Sequence, residues 1–218
     1  MSFGLATRAA VGLAGRETRT VDAAGLGFVL TLHAAFLARA PGGRRASLKF
    51  TNLSGIDLSG RCLAEADLSG ALLQGANLVH ADLREANLFG ADLTRADLTE
   101  ACLEGADLRG ARLERATLNG AIMVSVRAGP MPIRDHPDWP TNLTRAKLAS
   151  ASLSNAMLTQ ATLIRADLTG ADLQGADLTG ASLCEAVLLD ADLRRARLQG
   201  TDLTDCIGMA AGPGSAAA

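Results

Sequence analysis

The chain has 218 residues, a formal net charge of −2 and a pI near 5.9, and it is 48% hydrophobic but only 3% aromatic, with no tyrosine. This balance excludes strong electrostatic attraction to nucleic acid or to an anionic membrane, and the shortage of rings requires a core of small and medium aliphatic side chains. No stretch approaches the run of about 18 uncharged apolar residues that spans a bilayer, and Met1 to Thr20 lacks the continuous apolar centre of a signal peptide, so the expected setting is the cytoplasm.

Taken in order, residues 1–20 carry no clear pattern and are expected to form a disordered N-terminal tail. Residues 21–45 read as a capping helix and turn. Leu26, Val29, Leu30, His33, Phe36 and Leu37 recur at helical spacing, and Pro41-Gly42-Gly43 stops the run. The spacing predicts a helix from Asp22 to Arg39 packed over whatever follows, with His33 as a satisfied core histidine on its apolar face.

Residues 46–206 are governed by a period of five. Every fifth residue from Leu48 to Leu118 is leucine, and again from Leu143 to Leu203. The residue two before each leucine is usually alanine, as in Ala66-Asp67-Leu68 and Ala176-Asp177-Leu178. On an α-helix a step of five advances about 140° and scatters the leucines. In a flat strand an odd period sends successive leucines to opposite faces. The pattern is satisfied if each quintet is one short extended side and a corner, with Ala and Leu both inward. Glycine at the fifth position, as at Gly70, Gly90 and Gly110, tolerates the tight corner. The aspartates fall on the outward second position.

The repeat lapses between Met123 and Leu143, where residues 124–142 hold Pro130, Pro132, Pro137, Pro140 and the single tryptophan, Trp139. The phase survives, because Leu143 lies 25 residues, a multiple of five, after Leu118, so the segment either replaces a coil in irregular form or projects as a loop, and the prolines favour projection. Residues 207–218 are rich in Gly, Ala, Ser and Pro and are expected to be a disordered tail without a helix.

The tandem Ala-Asp/Asn-Leu-x-x pattern resembles the pentapeptide-repeat family over roughly three quarters of the chain. The resemblance implies an all-β solenoid, a right-handed quadrilateral β-helix with four repeats per coil and an N-terminal capping α-helix. Some members have a similar helix with a histidine followed by an aromatic-leucine pair, here His33 and Phe36-Leu37. Twenty-eight repeats then make about seven coils and, at about 4.8 Å per coil, a rod roughly 34 Å long, and the twenty residues from Met123 to Leu143 would equal one such four-sided turn. Members often dimerise through their C-terminal ends, which makes a homodimer through that end an expectation, although the helix that typically mediates it is missing.

No catalytic constellation, metal-ligand set or cofactor motif stands out. His33, His80 and His136 are isolated. Cys62, Cys102, Cys184 and Cys206 show no CxxC pairing, and Cys62 and Cys102 would lie two coils apart, about 9.6 Å and beyond disulfide reach. Two groups remain as partner-binding candidates. The first is Arg134, Asp135, His136 and Trp139 in the interruption, a lone Trp among charges and prolines. The second is an acidic face in which Glu65 stacks on Glu85, with Asp82 and Glu104 nearby, while Arg95 and Arg115 stack on another side with Arg112 close.

The expected function is that of a non-enzymatic interaction protein that presents a rigid wall and a projecting loop to a protein partner of unknown identity. The resemblance brings a second reading: a DNA-mimicking binder of a type II topoisomerase such as DNA gyrase, inhibiting it or protecting it from quinolones. Residues 46–123 hold seven Lys and Arg against eleven Asp and Glu, and residues 143–206 hold six against eight, a mild acidity for a phosphate imitation. The weakest reading is a metal-dependent or hydrolytic enzyme using the His136 loop.

Overall fold

The computed structural model describes residues 10–11, 17–124, 126–127 and 138–208. From Ser47 onward the chain forms four ladders of parallel bridges, one on each side of a rectangular coil. One runs Ser47, Asp67, Asn87, Asp107, Asn142, Thr162, Ser182, Asp202, and another Cys62, Asp82, Cys102, Ile122, Met157, Asp177, Arg197. Each residue pairs with the one twenty positions on, except across the interruption. Four quintets therefore close one turn.

Backbone hydrogen bonds run along the stacking direction and repeat with the sequence. Leu68 N–H donates to Asn87 O at 2.8 Å, Gly70 N–H to Phe89 O at 2.9 Å, and Asp67 N–H donates back to Ala46 O at 3.0 Å. Within a coil Ala71 N–H donates to Leu68 O at 3.0 Å, closing a four-residue turn whose third residue, Gly70, has φ +63°. A single left-handed residue in that place is the type II geometry. The corner is a property of position: Glu65, Arg95 and Arg115 adopt φ of +61°, +60° and +60°, close to the +60° to +69° of the glycines at the same place in other quintets.

The alanines and leucines of the interior coils are fully buried, forming one aliphatic column. The second-position residues are more than solvated ornaments. Asp97 Oδ1 accepts from Thr99 N at 3.0 Å and from the Thr99 hydroxyl at 2.6 Å, and the same motif joins Asp177 to Thr179 and Asp202 to Thr204. In these quintets the acid ties down the amide at the start of the corner, which the ladder leaves over.

At the N-terminal end, α1 (Ala23–Leu37) begins on Asp22, whose Oδ1 accepts from Gly25 N at 2.7 Å, an N-cap that satisfies an orphan amide of the first turn. Leu26 and His33 are its buried residues, and Val29 and Leu30 pack against the leucine column. The chain then turns back under the helix: Arg44 N–H donates to Leu32 O at 2.9 Å. Gly43 is required there, since a Cβ would lie 2.4 Å from Phe36 N.

Two expectations are corrected. Residues 1–20 are not featureless throughout: β1 (Ala10–Val11) pairs antiparallel with β2 (Glu17–Thr20), and β2 pairs in parallel with β3 (Thr51–Asn52). Thr20 thereby sits above Asn52 and Leu72 at the head of a ladder. One side of the first coil's unpaired edge is thus covered by backbone. The tail expected over 207–218 falls mostly outside the described residues, which end at Gly208.

The second correction concerns the interruption. Cys102 pairs with Ile122, and the next side is Asp107 with Asn142. No coil is replaced. Leu143 lies on Leu108, whose N–H donates to Asn142 O at 2.7 Å, while Met123 lies on the coil of Met157, whose carbonyl accepts from Met123 N–H at 2.7 Å. Leu143 is therefore not one full turn beyond Met123 but its neighbour around the same coil. The excess chain leaves at one corner and returns to it.

Candidate interaction site

The acidic residues named from the sequence are brought together. Glu65, Glu85 and Glu104 line one open cleft of about 490 Å³ with Phe36, Leu37, Arg39, Cys62, Ala64 and Arg84. Its floor is a wall of the first coils and its rim the last turn of α1. The twenty-residue step puts Glu65 directly beneath Glu85. The corner conformation, with φ +61° and +55°, turns both away from the core. Glu104 lies one coil further on, and its carbonyl accepts from Glu85 N–H at 2.8 Å. Phe36 and Leu37 reach the cleft because the helix crosses the end of the solenoid. Sequence spacing gave no sign of that proximity.

Asp82 belongs to the same wall but not to the same electrostatics. Arg84 clasps it with two charge-assisted hydrogen bonds, Nε to Oδ1 at 2.8 Å and Nη2 to Oδ2 at 2.7 Å. Burial pushes the Asp82 carboxyl up, but hydrogen bonds from the Arg84 side chain and backbone outweigh it and hold the group below its ordinary value. The same bidentate pairing links Arg109 to Asp107 and Arg194 to Asp192. On the other side Arg112 bridges Asp92 at 3.4 Å and Glu114 at 3.6 Å. At Asp82, Asp107 and Asp192 the negative charge of the second position is paired with an arginine two residues on.

In the interruption, Arg134, Asp135 and His136 lie outside the described residues. Trp139 is placed by its backbone: β4 (Val126–Arg127) pairs antiparallel with β5 (Asp138–Trp139), Val126 opposite Trp139. The loop expected to carry Trp139 at its tip is at this point a two-stranded hairpin, and Trp139 stands at its root beside the solenoid. A residue the sequence reading passed over secures that root. Thr141 fills the alanine slot before Leu143 and is fully buried. Its hydroxyl accepts from Gly105 N at 3.1 Å and has Leu103 O at 2.8 Å and Val124 O at 3.2 Å to receive its proton. The signal was a hydroxyl where alanine is the rule.

The remaining candidates separate. His80 faces Glu100 at 3.4 Å on an exposed wall. The four cysteines are free thiols, and burial raises Cys62 and Cys102 above the ordinary thiol value, which lowers their nucleophilic fraction. Among the described residues no group of three or more His, Cys, Asp or Glu side chains is placed to hold a metal ion, and no helix is long and apolar enough to cross a membrane. At the C-terminal end Leu193, Leu198 and Leu203 are only partly buried, and Leu189 and Ile207 are 46% and 55% exposed.

Fold and site define a class: a capped, four-sided repeat solenoid whose distinctive chemistry is displayed on its outer walls. The pentapeptide repeat family matches residues 51–127 and 141–207. The chain belongs to that family, and membership brings with it the right-handed β-helix. Pentapeptide repeat proteins are generally structural or interaction proteins. Among solved structures, the chain is similar to HetL, a pentapeptide repeat protein involved in heterocyst differentiation regulation from the cyanobacterium Nostoc sp. strain PCC 7120. Identity is 36%, with 74% of this chain and 80% of that one covered and a TM-score of 0.35. It is also similar in fold to a trypsin-treated form of QnrB1, a plasmid-mediated fluoroquinolone resistance protein, at 22% identity over 77% of this chain and 78% of that one, with a TM-score of 0.51. No curated protein matches the chain closely.

Proposed function

We propose that the protein is a non-enzymatic adaptor that binds a protein partner in the cleft between α1 and the acidic wall. One observation carries the reading: Glu65, Glu85 and Glu104 stand beside Phe36 and Leu37 in one open groove. Carboxylates next to an apolar rim fit a segment that carries both Lys or Arg and an apolar anchor. The hairpin root at Trp139 offers a second contact on the same solenoid. The free thiols of Cys62, Cys102, Cys184 and Cys206 fit a reducing, cytoplasmic setting.

Capture from a host lysate with wild-type protein and with the triple variant E65Q/E85Q/E104Q, both verified as folded, tests the cleft. A partner retained equally by both would remove it. The same capture with Trp139→Ala tests the hairpin.

Binding to a type II topoisomerase as a DNA mimic is the second reading, and the likeness to QnrB1 supports it at the level of fold. The Arg84–Asp82, Arg109–Asp107 and Arg194–Asp192 pairs weigh against it, because imitation of a duplex needs a continuous negative surface. A gyrase supercoiling assay separates the two readings, since a mimic must inhibit or protect the enzyme and the adaptor has no effect. The exposed Leu189 and Ile207 with the partly buried leucines of the last coil suit end-to-end pairing of two copies, which sedimentation analysis of the full chain tests.

A further inference from the structure

We propose that His33 is a proton-sensitive latch, holding α1 on the end of the solenoid while neutral and releasing it in mild acid. The imidazole is 0% exposed at the junction between the helix and the first coil. Its Nδ1 accepts a hydrogen bond from Ala46 N–H at 3.1 Å, so the single proton of the neutral ring sits on Nε2. Nε2 is itself buried without a hydrogen-bond partner. The histidine expected to be satisfied in the core is satisfied on one side only.

This arrangement leaves a second proton one place to go. It must bind Nδ1, where it meets the Ala46 N–H across 3.1 Å. Two donors then face each other, the Ala46 amide loses its acceptor, and a cation is created where water has no access. Phe36 stacks on the ring at 5.9 Å between centroids, with planes 12° apart, so it supplies a face but no acceptor.

The charged groups around the ring do not cancel the conflict. From the solenoid, Glu65 favours the imidazolium and Arg45 opposes it, and the Ala64 backbone favours it without completing a hydrogen bond; α1 itself carries no acid or base besides His33. Burial is the largest influence, and the net effect lowers the proton affinity from the ordinary 6.5. The released helix binds the proton at the ordinary value and the docked helix does not, so docking is full above about pH 6.5 and weakens as pH falls below it. The steepest slope is about tenfold in the docking equilibrium per pH unit.

The fold confines the response to the cap. The coils below keep their own backbone ladders from Leu48 onward. The helix depends on Leu26, Val29 and Leu30 and on the return of Arg44 to Leu32, so it can open as a local unit. Opening exposes the first leucines of the column, and it operates whether or not the cleft holds a partner.

Hydrogen exchange of the full chain at pH 7.5, 6.0 and 5.0, corrected for the pH dependence of intrinsic exchange, tests the latch. Protection in residues 23–46 is expected to fall by up to tenfold per unit below pH 6.5, while residues 66–118 stay unchanged. His33→Asn keeps an acceptor for Ala46 but cannot titrate, and its cap is expected to hold constant protection over the same range. Constant protection in the wild type, or an equal loss in both proteins, overturns the proposal. Should the variant fail to fold, an NMR titration of the wild type decides: the His33 ring and the Ala46 amide are expected to shift together below pH 6.5, and a ring that titrates while Ala46 stays unmoved overturns it.

Discussion

Asn142 lies beside Asp107 in a parallel bridge although 35 residues separate them, where the neighbouring bridge from Cys102 to Ile122 spans 20. The excess of fifteen is three quintets, not the four of a complete turn. The coil therefore resumes on the next side without loss of phase, and the hairpin is an insertion that the solenoid does not need. Deleting residues 126–140, with Ser125→Gly to supply the corner, is expected to leave a folded solenoid. Circular dichroism and the thermal midpoint should match or exceed the parent, because a loop-closure cost disappears. Loss of the folded signal would show that the hairpin is structural.

Thr141 closes the gap at which the hairpin leaves. Thr141→Val keeps the shape but removes the hydroxyl that accepts from Gly105 N–H and donates to Leu103 O, leaving Gly105 N–H with only its 3.3 Å bond to Val124 O. The expected loss is about 1 kcal/mol in urea unfolding, and Thr141→Ser should recover most of it.

The corners carry backbone strain that side chains only partly conceal. Gly90 has φ +63° and open space around a hypothetical Cβ, so Gly90→Ala isolates the conformational term and should destabilise by about 1 kcal/mol. Arg115 holds φ +60° with a side chain in solvent. Arg115→Gly is expected to be stabilising by about 0.5 kcal/mol, the relief of strain exceeding the added freedom of the unfolded chain. A stabilising Gly90→Ala together with a destabilising Arg115→Gly in the same denaturation assay would contradict the corner geometry.

Acid should act on the solenoid later than on the cap. Side-chain hydrogen bonds from Ser59, Thr179 and Thr204 hold Asp57, Asp177 and Asp202 below the ordinary 3.8. For these groups the unfolded chain binds protons first as pH falls, so their contribution is present above about pH 4 and is lost below it. Far-UV dichroism of the β-helix should stay constant from pH 7 to about pH 4.5 and fall only beneath that, well separated from the opening at His33. A single transition for cap and solenoid would join the two events.

The Ala and Leu slots could be read directly because the interior of this fold is a column with one repeating cross-section. A residue's burial depends on its place in the quintet and hardly on its distant neighbours. The same logic made Glu65 over Glu85 legible, since a fixed step of twenty converts sequence distance into stacking. It failed at Leu143, because phase within the quintet survives any insertion of five, ten or fifteen residues and so cannot report which side of the coil the chain rejoins.

Sequence by itself determined the solenoid, its corners and the position of its cap, because each follows from a local period and the need to bury two aliphatic slots. Only tertiary structure decided that Phe36 and Leu37 meet Glu65, Glu85 and Glu104, that Arg84 silences Asp82, and that one face of His33 is left without a partner. Those relations depend on how a helix with no repeat is laid across the end of the coil, a contact set by packing in three dimensions that no spacing along the chain encodes.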